Sequence, residues 1–177
     1  LVMTRSLDQA KEYLRDRVFT DRETPDRRIG LIASSQARRL RAFGIEMSNA
    51  FQKDVSWPNW FVDGPTDIRS SYPLEIAASE FKCQGLEIDW IGLCWGDDFT
   101  WDTDMNQWRA RRLKGTRWVD DQREHTYARN RYRVLLTRAR YGQVIWIPKP
   151  RGHEPLVDGE ALDQTEHALL QAGVTQL

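Results

Sequence analysis

The sequence holds no Gly-x-x-x-x-Gly-Lys-Ser/Thr string and no acidic pair closing an early strand. Phosphate cradling by a P-loop and Mg²⁺ capture by a Walker-type carboxylate are therefore excluded within this chain. Cysteine is scarce, with only Cys83 and Cys94, and the expectation is two reduced thiols rather than a disulfide. The three histidines, His125, His153 and His167, share no Cys/His ligand spacing, so no metal site is assigned. No apolar run approaches the ~20 residues of a membrane span, and the opening Leu1-Val-Met-Thr-Arg5 lacks a signal-peptide core. A cytoplasmic location with no membrane partner is expected. Internal repeats and low-complexity segments are absent.

What is present is ordinary in amount and uneven in placement. The 177 residues suit one domain, and 40% hydrophobic with 29% charged residues is usual for a globular protein. The net charge is zero, yet the charges are segregated. Met105 to Arg140 carries eleven basic and three acidic residues, a net of +8, whereas Glu46 to Asp104 carries three basic and twelve acidic ones, a net of −9. A basic block of this size either seeks an anionic partner or is neutralised inside the fold. The chain opens without an initiator methionine and reads as a fragment of a longer protein, expected to be monomeric.

Periodicity outlines the elements. Ser6 caps a helix over Leu7 to Phe19, with Leu7, Ala10, Leu14 and Val18 at helical spacing. Asp21 to Arg28, carrying Pro25, reads as a loop. Ile29-Gly-Leu-Ile-Ala33 is a buried strand ending at Ser34-Ser35, followed by a helix over Gln36 to Phe43, half of a βαβ unit. Met47 to Arg69 has no clear period, but Trp57-Pro-Asn-Trp-Phe61 either stacks nucleic-acid bases or anchors a long loop onto the core. Leu74 to Ala78 reads as a strand that delivers Ser79 and the turn Gln84-Gly-Leu-Glu87, with a further strand over Trp90 to Cys94. Gly96 to Asp104 reads as a loop, and Asn106 to Trp118 as a short helix or a hairpin with Gly115 at its tip. From about Asp121 to Arg140 the spacing suits a helix that Gly142 caps. A strand over Gln143 to Ile147 stops at Pro148 and Pro150, and Glu160 to Ala172 forms a last helix ended by Gly173. Strands alternating with helices predict an α/β fold: an open, mostly parallel sheet with helices on both faces. Ligands are expected at the carboxyl ends of its strands, where Ser34, Ser79 and Glu87 are placed. Residues 149–177 are set apart as a C-terminal extension.

Gln84-Gly85-Leu86-Glu87 followed some fifty residues later by Leu136-Thr137-Arg138-Ala139-Arg140 resembles motifs V and VI of superfamily 1 helicases. The likeness spans Arg28 to Pro148 and is nearest to the second RecA-like half of the Schlafen group 3-like DNA/RNA helicase domains of the DUF2075 family. It implies an ATP-dependent helicase or nucleic-acid-dependent ATPase. ATP and Mg²⁺ would be bound mainly by an upstream P-loop domain of the same chain, and DNA or RNA would be the partner. By resemblance Arg138 is the arginine finger, Glu87 reaches the ribose, and Gln84 and Gly85 belong to the nucleotide-facing turn. After the strand ending at Ala33, Arg38 and Arg39 compete for the arginine of motif IV, and Arg39 is favoured. Ser34, Ser79, Arg109, Arg111, Arg112 and Trp57 are the candidate nucleic-acid contacts. Phe81 stands where many relatives carry histidine, so that histidine's role does not transfer.

Two readings from other classes compete. Asp97, Asp98, Asp102 and Asp104 could hold the two metals of a nuclease, although the spacing is that of an acidic loop. The basic block and its tryptophans could equally make a non-catalytic nucleic-acid or protein binding module.

Overall fold

The computed structural model describes residues 1–19, 27–150 and 157–177; the expected loop around Pro25 and the position of His153 lie outside them. A six-stranded parallel sheet forms the centre of the molecule, in the order β3-β2-β4-β8-β1-β9. Its members are β1 (Val2–Thr4), β2 (Ile29–Ala33), β3 (Ala77–Ser79), β4 (Ile88–Cys94), β8 (Ala139–Trp146) and β9 (Thr175–Gln176). The remaining strands, β5 (Phe99–Asp102), β6 (Gln107–Lys114) and β7 (Arg117–Asp120), make a separate antiparallel sheet. It is inserted between β4 and the helix α4 (His125–Leu136).

Alternation along the central strands splits the core into two layers. Ile91 and Leu93 of β4, with Ile145 of β8, face a cluster built from α3 (Trp57–Val62), α4 and α5 (Gly159–Gln171). Cys94, Leu31 and Val144 face the other side, where α1 (Leu7–Phe19) brings Ala10 and Leu14, and a 3-10 helix over Arg38–Phe43 brings Leu40. Helices thus cover both faces, as the alternating pattern predicts. α1 begins where Ser6 accepts the Gln9 amide at 3.3 Å. Trp60, 1% exposed, lies against Gly30 and anchors α3 onto the sheet, the second of the two roles open to that aromatic run.

Several boundaries differ from expectation for local reasons. Leu74 adopts φ 59, which an extended strand cannot contain, so β3 starts only at Ala77. The helix expected over Gln36 to Phe43 begins at Arg38 and is of the 3-10 type. The expected acidic loop contains β5, because Phe99 stacks on Trp108 and Trp101 lies directly opposite it in the ladder. The helix toward Arg140 stops at Leu136, where the Thr137 hydroxyl donates to the Arg133 and Val134 carbonyls at 3.0 and 3.1 Å. Gly142 is therefore no cap but a strand residue. In the C-terminal segment α5 lies on β5, and β9 pairs with β1.

Gly142 matters through close approach. A Cβ there would sit 2.1 Å from the Trp90 ring, which is itself held edge-on by Tyr13 and under the Arg17 guanidinium. Gly142→Ala is expected to lower stability by about 1–3 kcal/mol through overpacking, read as a reduced urea midpoint with an unchanged slope. Adding Trp90→Leu should recover part of the loss; an unchanged midpoint for the single variant would contradict this packing.

Candidate functional site

The parallel sheet has an amino rim and a carboxyl rim, and α4 runs between them. At the amino ends of β4 and β8 the Gln84–Glu87 turn meets the Thr137-Arg138 turn. Ile88 donates its amide to the Arg138 carbonyl at 3.1 Å, and Ile88 pairs with Ala139 in the ladder. Gly85 takes φ +78, a bend that a side-chain-bearing residue adopts only with strain, and the turn it makes is exposed. Cys83, buried just before it, is a free thiol pushed up to about 11 by burial, with the Arg138 charge acting in the opposite direction. The Arg138 side chain is half-buried; its Nε is shielded from solvent and has no hydrogen-bond partner among the described residues. No carboxylate among them pairs with it. Glu87 meets Arg140 at 3.2 Å, with both side chains 56% exposed, so this pair is weakly held. Two expectations are corrected here. Glu87 sits at the amino end of β4, not at a carboxyl end, because the chain crosses the whole sheet between Ser79 and Ile88; Arg138 sits in a turn, not on a helix.

At the carboxyl edge a buried polar network ties three loops to α4. The loop after β2 is held by Ser34, whose hydroxyl donates to Asp98 at 2.6 Å, and by Ser35, whose amide and hydroxyl donate to Glu80 at 2.8 and 2.6 Å. Arg131 of α4 bridges both acids, 3.0 Å from Glu80 and 3.1 Å from Asp98. Tyr132 donates to the other Asp98 oxygen at 2.9 Å and accepts the Gly96 amide at 3.2 Å. Burial acts to raise the Asp98 carboxyl, opposed by Ser34, Arg131 and Tyr132. Burial likewise raises its neighbour Asp97 to about 7, with the Asp158 amide and Arg111 drawing it back.

Most candidate nucleic-acid residues are internally engaged. Ser34 and Ser79 are buried. Trp57 is half-buried, with its indole donating to the Gln52 carbonyl at 2.8 Å and its ring beside Trp60 and Phe61. Arg111 is buried and 2.6 Å from Asp158; Arg109 lies 2.8 Å from Asp102 and Arg112 lies 2.9 Å from Asp121. Arg38 and Arg39 follow the carboxyl end of β2, so the structure does not bring Arg39 to Arg138. The acidic group proposed as a nuclease centre is dispersed. Asp97 accepts the Asp158 amide, Asp98 joins the Arg131 network, Asp102 pairs with Arg109 and Asp104 is exposed. No group of three or more His, Cys, Asp or Glu among the described residues is placed to hold a metal ion. A 410 Å³ groove between the Glu80–Gln84 crossover and α4 is rimmed by exposed Phe81 and Tyr127. Arg131, Glu80 and Tyr132 were not among the sequence candidates; their partners lie tens of residues away, so spacing carries no signal of them.

A parallel α/β sheet of this kind, with helices on both faces, is a RecA-like architecture. The chain belongs to the Schlafen group 3 DNA/RNA helicase domain family, whose profile matches residues 1–149. Its role is therefore helicase-related, with nucleic acid as the general class of partner. No curated protein and no solved structure gives a significant match. Among the described residues no helix is long and apolar enough to cross a membrane.

The raised Asp97 carboxyl makes a pH prediction. Between about pH 4, where an unperturbed Asp ionises, and about 7, the folded chain keeps a proton that the unfolded chain has released. Asp97 therefore favours folding most below that window, and its contribution falls as pH rises through it. Asp97→Asn should be more stable than the parent at pH 8 and converge with it near pH 4, as measured by urea unfolding. Parallel curves would show that this carboxyl ionises normally in the fold.

Proposed function

We propose that the chain is the second RecA-like motor domain of a superfamily 1-type, ATP-dependent DNA/RNA helicase or nucleic-acid-dependent ATPase. Under this reading ATP and Mg²⁺ are held mainly by a P-loop domain upstream in the same polypeptide, and this domain closes over the nucleotide with its amino edge. The observation that carries the reading is Arg138: a half-buried guanidinium without a carboxylate partner among the described residues, next to the Gln84–Glu87 turn. A buried cation lacking its counter-charge favours an arriving anion, and a planar, always-charged fork suits the oxygens of a transferred phosphoryl group. Charge spreads over those oxygens in the transition state, so a guanidinium fixed in advance lowers the barrier.

Glu87 takes the ribose hydroxyls, for which it has only to release the solvent-exposed Arg140. Gln84, ahead of the glycine and lining the groove against α4, couples the nucleotide to the nucleic acid, and Gly85 lets the backbone bend between it and Glu87. With no P-loop of its own, the isolated chain binds the nucleotide weakly and does not turn it over.

In the protein that carries the upstream P-loop domain, Arg138→Ala is expected to lower ATP turnover by about 10³- to 10⁵-fold while changing nucleotide affinity little. Arg138→Lys should recover only a small part, because a point charge cannot replace the fork. Steady-state hydrolysis together with equilibrium nucleotide binding checks this; near-normal turnover in Arg138→Ala would overturn the reading.

A further inference from the structure

The basic block between Met105 and Arg140 is sorted by the fold into spent and available charge. Arg109, Arg111, Arg112, Arg131 and Arg140 each lie within 4 Å of a carboxylate. Apart from Arg138 at the amino edge, five cations keep no carboxylate among the described residues: Lys114, Arg117, Arg123, Arg129 and Arg133. All five are exposed.

Their placement works against the fold. Lys114 and Arg117 are directly paired across the end of the β6–β7 hairpin, joined by Gly115-Thr116, where Gly115 supplies the φ of +63 that a two-residue hairpin turn needs. Cross-strand partners usually carry opposite charges, and like charges directly opposite are destabilising. Arg129 and Arg133 repeat the conflict one helical turn apart on α4. They follow His125 at helical spacing, and the His125 ring meets the Trp108 carbonyl near the base of β6 at 2.9 Å. Two separate elements thus hold like charges together with no acid between them, a repulsion that a chain of phosphates relieves. The hairpin end carries only Lys114, Gly115, Thr116 and Arg117, with no exposed aromatic ring or amide to read a base. The arrangement therefore suits a sequence-independent backbone contact.

We propose that the end of the β6–β7 hairpin is a phosphate-backbone contact for a nucleic-acid strand, with Lys114 and Arg117 as its gripping pair. This rests on the helicase reading for the identity of the polyanion, and it moves the contact from Arg109, Arg111 and Arg112, which are already paired, to the hairpin end.

The test is binding of a fluorescein-labelled single-stranded 20-mer, one arm DNA and one arm RNA, across a salt series, using the protein with its upstream P-loop domain. Each phosphate contact contributes about 0.7 to the slope of log affinity against log salt for single strands. Lys114→Ala with Arg117→Ala should therefore flatten the slope by about 1.4, whereas Arg109→Ala, which removes a charge held between Asp102 and Asp120, should leave it nearly unchanged. Lys114→Arg with Arg117→Lys should keep the parental slope, which separates charge from any disturbance of the turn. An unchanged slope in the double alanine variant, or equal losses in the paired-arginine control, would overturn the proposal. ATP turnover of Arg138→Ala, measured alongside, distinguishes the two ideas. Dependence on Arg138 with an unaltered slope sinks the hairpin contact alone; turnover independent of Arg138 with a flattened slope sinks the motor-domain reading and leaves the contact standing.

Discussion

The arrangement of both edges depends on one guanidinium. Arg131 sits in the middle of α4, 11% exposed, between Glu80 and Asp98. Removing three charged groups from water costs several kcal/mol per ion and is offset only where geometry is good and the remaining lone pairs are occupied. That condition is met here: Ser34, Ser35 and Tyr132 saturate the two carboxylates. Because each acid stands on a different loop, the one side chain fixes the chain segments that leave β2, β3 and β4. It also fixes the register of α4 along the sheet, and with it the place where the helix ends and Arg138 turns.

This explains how one domain offers different chemistry at its two rims. At 1.5 Å rise per residue, twelve helical residues reach roughly 18 Å, enough to carry the chain from the carboxyl to the amino ends of the strands. Acids and hydroxyls satisfy one another at the first rim, which leaves it well ordered and poor in free donors. At the second rim the turns are exposed, and one guanidinium has no carboxylate partner among the described residues. The aromatic cluster of Trp95, Phe99, Trp108 and Tyr132 lies where β4 passes into the inserted sheet, so the hairpin is anchored in the core at its base.

How much of this the sequence discloses follows the physical range of each signal. β2 and β4 are legible because strands covered on both faces read as continuous apolar runs. α1 is legible from its Ser6 cap and spacing, whereas Asn106 to Trp118 reads equally as a short helix or a hairpin, because Gly115 marks a tip without fixing the type of its flanks. β5 is hidden because Asp97, Asp98 and Asp102 mask the Phe99-Thr100-Trp101 alternation, whose partners appear only in β6. Gly142 looks like a helix stop until the Trp90 ring, more than fifty residues earlier, is seen to occupy its space. The motif residues were found by likeness, yet the rim on which Glu87 stands depends on which way the Glu80–Glu87 segment crosses the sheet, and no local pattern encodes that. The long-range ion pairs of Arg131 are equally silent in the sequence.

The outermost strands of the central sheet are its shortest, three residues in β3 and two in β9. An open parallel sheet ordinarily ends in a row of unpaired amides and carbonyls that can template another chain. Here that row is too brief on either side to recruit a neighbouring strand. Brevity at the borders therefore protects the chain against edge-to-edge aggregation, and the polar Thr175-Gln176 pair strengthens the protection on the side where β9 faces out.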